Sequence, residues 1–113
     1  MEEYLGVRPP TNTLGILQDI HWTSMMGYFP TYSLGNILSL QLYDRAVQEM
    51  PEILDQIGSG EFSGLHGWLT EKVYRHGRKF EPNDLIQRAT GEPLQTRSYL
   101  TYLKSKFGAL YGV

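Results

Sequence analysis

Residues 14–43, LGILQDIHWTSMMGYFPTYSLGNILSLQLY, decide how the rest of the chain is read. They hold one formal charge, Asp19, and one imidazole, His21, among Trp22, Tyr28, Phe29, Tyr32 and Tyr43. Apolar residues this dense form a core. A core has no need of Gln18, Asp19, His21 and two close tyrosines, because buried polar groups cost free energy unless they find partners. The stretch therefore reads as core on one side and a polar site on the other.

Working outward, Pro30 suits the first turn of a helix, and Pro51 is a stop for it. The spacing predicts one helix over 30–50. Leu34, Ile37, Leu38, Leu40, Leu42, Tyr43, Ala46 and Val47 cover more than one stripe of it. A helix apolar nearly all round in its first half is expected to be buried. A chain of 113 residues has few other helices to surround it. A dimer mate or an absent domain would supply the missing cover.

Upstream, residues 1–13 read as an extended lead-in, because Pro9 and Pro10 exclude a helix around them. Thr13 reads as the N-cap of a short helix from Leu14, with Leu17 and Ile20 on its apolar face. Residues 22–29 read as a loop pivoting on Gly27. Downstream, helices are expected over 51–57, 63–76, from Pro82 to Gly91, and over 96–107, with Gly58, Gly60, Gly77 and Gly91 closing them. Neither a strand pattern nor a repeat is evident. The fold class is all-α, about six helices joined by short Pro/Gly turns, a single helical region over 1–113.

The totals narrow the function. A net charge of −2 argues against a general nucleic-acid binder, which would show a basic face. No cysteine is present, which excludes a disulfide framework and a thiolate zinc site and fits a cytoplasmic protein. No run approaches the roughly 20 clean apolar residues of a membrane span, and the start MEEYLGVRPP lacks the apolar segment of a secretory signal.

Within the central stretch, Asp19 and His21 are two residues apart near a helix end, which would bring a carboxylate and an imidazole to one ligand. The alternative is a buried histidine satisfied by a backbone carbonyl, and residue types alone favour it. Tyr28 and Tyr32, four apart, would aim two phenols into a cleft, where such donors stabilise a developing oxyanion; the alternative is aromatic core. His21, His66 and His76 include no pair at i, i+4, so no HExxH helix exists. Arg75, His76, Arg78 and Lys79 make a basic patch that suits a helix C-terminus, with an anion site as the lesser option. There is no GxSxG, P-loop or GxGxxG.

GILQDIHW, followed by GYFPTYSLGN, resembles the carboxypeptidase Taq family of zinc metallocarboxypeptidases. Residues 15–22 match its GxxQDxHW motif and residues 27–35 its GYFPTYxLG segment. The likeness continues through IGSGEF, RHGRKF, ATGEPL at 89–94 and KFGALYG, and so covers essentially the whole chain. One departure is the turn TSMM at 23–26, shorter than the family's usual Gly-bearing turn, which bears on the aim of Tyr28.

The resemblance implies an all-α metallopeptidase with a deep groove, whose zinc-bound water attacks the last peptide bond of a substrate with a free C-terminus. The family's HExxH helix and the downstream glutamate that completes its metal site precede GxxQDxHW and are missing here. The chain is therefore expected to be a C-terminal piece, with Met1 the start of a truncated chain. The metal ligands, zinc itself and the catalytic base would belong to the missing N-terminal part; this piece would bind no metal and be inactive alone. His21, Tyr28 and Tyr32 would be its catalytic groups, donating to the oxyanion or the substrate's carboxylate end. Gln18 and Asp19 would join His21 and Tyr28 in binding substrate and position the motif, with Asp19 orienting His21. A homodimer is expected from the family. The second reading is a stand-alone, non-catalytic helical interaction module, against which stands the retained polar set of Gln18, Asp19, His21, Tyr28 and Tyr32.

Overall fold

A four-residue helix, α1 (Glu2–Leu5), is the first element in the computed structural model, which describes residues 2–22 and 27–112. An extended lead-in was expected there. Glu2 and Glu3 favour a helix N-terminus, and Gly6, at φ +65°, ends the turn with its N–H on the Glu2 carbonyl at 2.9 Å. The chain divides into two compact units, Met1–Ser33 and Leu34–Val113. Every regular element among the described residues is helical.

In the first unit the expected helix from Leu14 is replaced by two 3-10 turns, Ile16–Gln18 and Ile20–Trp22. Local hydrogen bonds explain this. The Asn12 carbonyl accepts from both Gly15 and Leu17, and the Asp19 carboxylate takes the His21 N–H that an α-helix would use four residues back. Thr11, not Thr13, caps the start: its Oγ1 accepts from Leu14 N at 3.2 Å. Gly15 is required by close approach, because a Cβ there would sit 2.9 Å from the Pro9 ring. Of the expected loop, residues 23–26 lie outside the described residues, and Gly27 has φ +80°.

The expected long helix is α2 (Pro30–Glu49). The orphan N–H groups of its first turn are met by the chain just before it. Thr31 N donates to the Tyr28 carbonyl and Tyr32 N to the Phe29 carbonyl, both at 3.1 Å, and the Thr31 hydroxyl donates to Tyr28 O at 2.6 Å. There follow α3 (Ile53–Gly58), α4 (Ser63–Lys72), a 3-10 turn (Tyr74–His76), α5 (Pro82–Thr90) and α6 (Arg97–Tyr111). The helix expected over 63–76 thus stops at Lys72, where Val73 leaves helical geometry at φ −126°. The last helix passes Phe107 to reach Tyr111, and Gly112 caps it in the left-handed region.

Ala46 and Ile53 are fully buried and Trp68 nearly so, with Leu42, Val47, Met50, Ile57, Leu65 and Leu69 packed around them. Burying a side chain the size of Ile53 contributes about 1.5–3 kcal/mol. Glu49 ties this core together. It accepts from Trp68 Nε1 at 2.8 Å and pairs with Arg45 Nε at 2.8 Å and Lys72 Nζ at 3.1 Å. The Trp68 indole N–H, then Lys72 and Arg45, hold its carboxyl below its ordinary value. A second anchor is Gln41, 4% exposed, whose amide binds the turn after α5. Its Nε2 donates to Thr90 Oγ1 at 3.2 Å and Pro93 O at 3.0 Å, and its Oε1 accepts from Gln95 N at 3.0 Å.

The burial expected for the first half of α2 does not hold in this chain. Residues 31–36 are exposed, Leu34 by 51%. From Leu42 onward, α2 packs on the core residues of α3 and α4. Between α2 and α4 an apolar groove of about 410 Å³ lies open, lined chiefly by Leu40, Leu42, Tyr43, Leu65, Leu69 and Val73.

Candidate functional site: a carboxylate, an imidazole and two phenols

The second 3-10 turn carries His21 next to the first turn of α2, and its imidazole bridges two groups. Nδ1 lies 2.6 Å from Asp19 Oδ1, and Nε2 lies 2.8 Å from the Tyr32 hydroxyl. The same Asp19 oxygen accepts the His21 backbone N–H at 3.0 Å. This is what the spacing D-I-H achieves: a short carboxylate two residues upstream reaches both the backbone and the ring of the histidine. These bonds, the backbone one first, hold the Asp19 carboxyl below its ordinary 3.8. An ionised carboxylate only accepts, so Nδ1 carries a proton.

Among the described residues, three aromatic rings surround the imidazole. Phe29 lies 5.2 Å away and Tyr28 5.3 Å, both tilted; Tyr32 meets it edge-on at 5.6 Å. Tyr28 and Tyr32, at i and i+4, stand nearly perpendicular with centroids 6.1 Å apart. The His21 side chain is 25% exposed and that of Asp19 49%. The buried histidine satisfied by a backbone carbonyl is therefore not what is found. The arrangement is a line of proton-sharing groups, carboxylate to imidazole to phenol, on an open face.

The structure thus brings together Asp19, His21, Tyr28 and Tyr32. Gln18 lies on the first 3-10 turn, exposed, with its backbone N–H on Gly15 O at 3.2 Å. Among the described residues its side chain makes no hydrogen bond to the other four. Sequence reasoning gave no role to Phe29 or Thr31. Phe29 completes the ring of aromatics, and Thr31 fixes the Tyr28 carbonyl. The signal was present in GYFPT, where an aromatic pair precedes a helix-opening Pro.

Among the described residues, no group of three or more His, Cys, Asp or Glu could hold a metal ion. His21 uses both ring nitrogens, while the His66 and His76 rings face Tyr74 at 6.2 Å and Phe80 at 5.3 Å. The described residues do not fit a catalytic metal. The basic patch is partly spent as well: Arg75 pairs with Glu71, and Lys79 lies over the Phe80 ring. ATGEPL, unexplained by chemistry, is the turn that Gln41 holds.

Residues 1–107 match the family profile described as Carboxypeptidase Taq (M32) metallopeptidase. Carboxypeptidase 1 of Bacillus subtilis is 43% identical over 97% of this chain, and thermostable carboxypeptidase 1 of Pyrococcus furiosus 39% identical over 95%. The chain spans 22% of the length of each of these relatives. The crystal structure of a carboxypeptidase of the same family from Deinococcus radiodurans is 47% identical. It superposes with a TM-score of 0.78, covering 99% of this chain and 23% of that one. The chain belongs to the carboxypeptidase Taq family of metallopeptidases.

Proposed function

We propose that this chain is the C-terminal part of a metal-dependent carboxypeptidase, which removes residues from the free C-terminus of peptides. Its share is a wall of the substrate groove. His21 and Tyr32 form one hydrogen-bonding unit and Tyr28 supplies a second phenol, aimed at the oxygen of the bond under attack and at the substrate's terminal carboxylate. The preceding part of the enzyme supplies the metal ligands, with zinc as the metal, and the catalytic base. The whole enzyme is a cytoplasmic homodimer.

One observation carries this reading: the Asp19–His21–Tyr32 line, at 2.6 Å and 2.8 Å, stands on an exposed face rather than in a core. A scaffold has no use for such a line. The open apolar groove and the exposed start of α2 add support, because they suit cover by more chain. Relatives in which this sequence is about a fifth of the length have that chain to offer.

The test is the Tyr32→Phe variant of the whole protein. It should lower the catalytic rate at least tenfold, about 1.4 kcal/mol of transition-state stabilisation, with metal content unchanged. A wild-type rate would remove Tyr32 from the mechanism.

A further inference from the structure

We infer that Asp19 is a positioning residue that fixes the tautomer of His21, and through it the direction in which the Tyr32 phenol proton points. The inference deepens the groove reading and rests on it for its catalytic meaning, but its geometry stands alone. With Asp19 as an acceptor at 2.6 Å, Nδ1 keeps its proton whether the ring is neutral or charged. In the neutral ring Nε2 is then a bare lone pair. The bond of 2.8 Å to Tyr32 can be made only with the phenol as donor. In that state Tyr32 offers only lone pairs to anything in the groove.

A second proton on His21 reverses this. Nε2–H then donates to the Tyr32 oxygen, and the phenol proton is released to turn outward. Tyr32 becomes a donor for a negative oxygen, whether the terminal carboxylate of a peptide or an oxyanion. One proton moves from solvent to Nε2: an N–H bond forms there as an O–H bond of hydronium breaks, and no heavy-atom bond changes.

Among the described residues, the groups facing the His21 ring are Asp19, Tyr28, Phe29 and Tyr32. Only Asp19 carries a formal charge at neutral pH. The Tyr32 hydroxyl, a neutral acceptor at Nε2, is the weaker competitor for the proton, so the carboxylate decides which nitrogen holds it. The spacing of Asp19 also makes the choice local: one oxygen holds both the backbone and the ring of His21.

The experiment is nuclear magnetic resonance of the 113-residue chain labelled with 15N at histidine. Long-range proton–nitrogen correlations read the tautomer of each neutral ring, and His21→Gln assigns the His21 signals. Neutral His21 should be the Nδ1–H form. Tyr32→Phe should keep it so, and Asp19→Ala should lose that signature in favour of Nε2–H, with the Tyr32 phenol now accepting. An Nε2–H form in the unaltered chain overturns the inference, and this measurement needs no variant to fold beyond that used for assignment. An unchanged tautomer in Asp19→Ala also overturns it. The tautomer is read without any hydrolysis. Its failure leaves the carboxypeptidase reading intact, and an inactive Tyr32→Phe enzyme says nothing about the tautomer.

Discussion

Replacing Gln41 by Leu should destabilise the second unit by about 2 kcal/mol. Three hydrogen bonds are removed: two from Nε2, to Thr90 Oγ1 and Pro93 O, and one to Oε1 from Gln95 N. At about 1 kcal/mol net each, the loss is roughly 3 kcal/mol. Two features reduce it. Thr90 keeps its own bond to the Ile86 carbonyl at 2.9 Å, and Pro93 is exposed enough for water to reach its carbonyl. Leucine also adds some apolar burial. The urea midpoint should fall by about 1–2 M with the slope unchanged. Gln41→Glu makes the test chemical. It keeps the acceptor and loses the donor at neutral pH, and it regains a donor once protonated, so its deficit should shrink in acid. A midpoint within about 0.3 M of the unaltered chain for Gln41→Leu, or a Gln41→Glu deficit that grows in acid, would refute the claim that this amide anchors the turn.

Glu49 should make stability depend on pH. Its folded-state carboxyl is held below its ordinary 4.5, so its contribution is present above that pH and is lost as pH falls through the folded value. Glu49→Gln should cost about 1.5 kcal/mol near pH 7, and the gap in urea midpoint should close as pH falls through the lowered folded-state value. Gly91 sits at φ +81° as the C-cap of α5, and Gly91→Ala should cost about 1 kcal/mol in thermal or urea unfolding. Ile53→Ala removes the centre of the core and should cost about 2–4 kcal/mol by the same assays. On the groove reading, the isolated chain should bind an apolar dye through its open face and show no zinc above background by elemental analysis. A dye-silent monomer in sedimentation would favour the stand-alone interaction module instead.

Helices bounded by Pro and Gly were legible because those residues act locally. Pro30 opens α2, Pro82 opens α5, and Gly91 closes it in the left-handed region, all where composition alone placed them. What misled was competition between side chain and backbone. Leu14, Leu17 and Ile20 have helical spacing, yet Asn12 and Asp19 capture N–H groups that a helix would need, and 3-10 turns result. The apolar girth of α2 was legible, and so was the shortage of cover within 113 residues; which stretch is left bare was not, because burial depends on what covers the helix. At the site, the types Asp, His and Tyr were evident, but residue types alone favoured a core histidine. The order in which those groups share protons was not legible. It depends on His21 reaching Tyr32 across eleven residues, a contact that spacing does not encode.

The central claim is that this sequence is the C-terminal portion of a metallocarboxypeptidase and works as the groove wall of a larger chain. Reading the gene immediately upstream of the Met1 codon tests it most directly. The account predicts an open frame running through that codon and carrying an HExxH helix. An in-frame stop followed by a start signal would contradict it, and the interaction module would take its place.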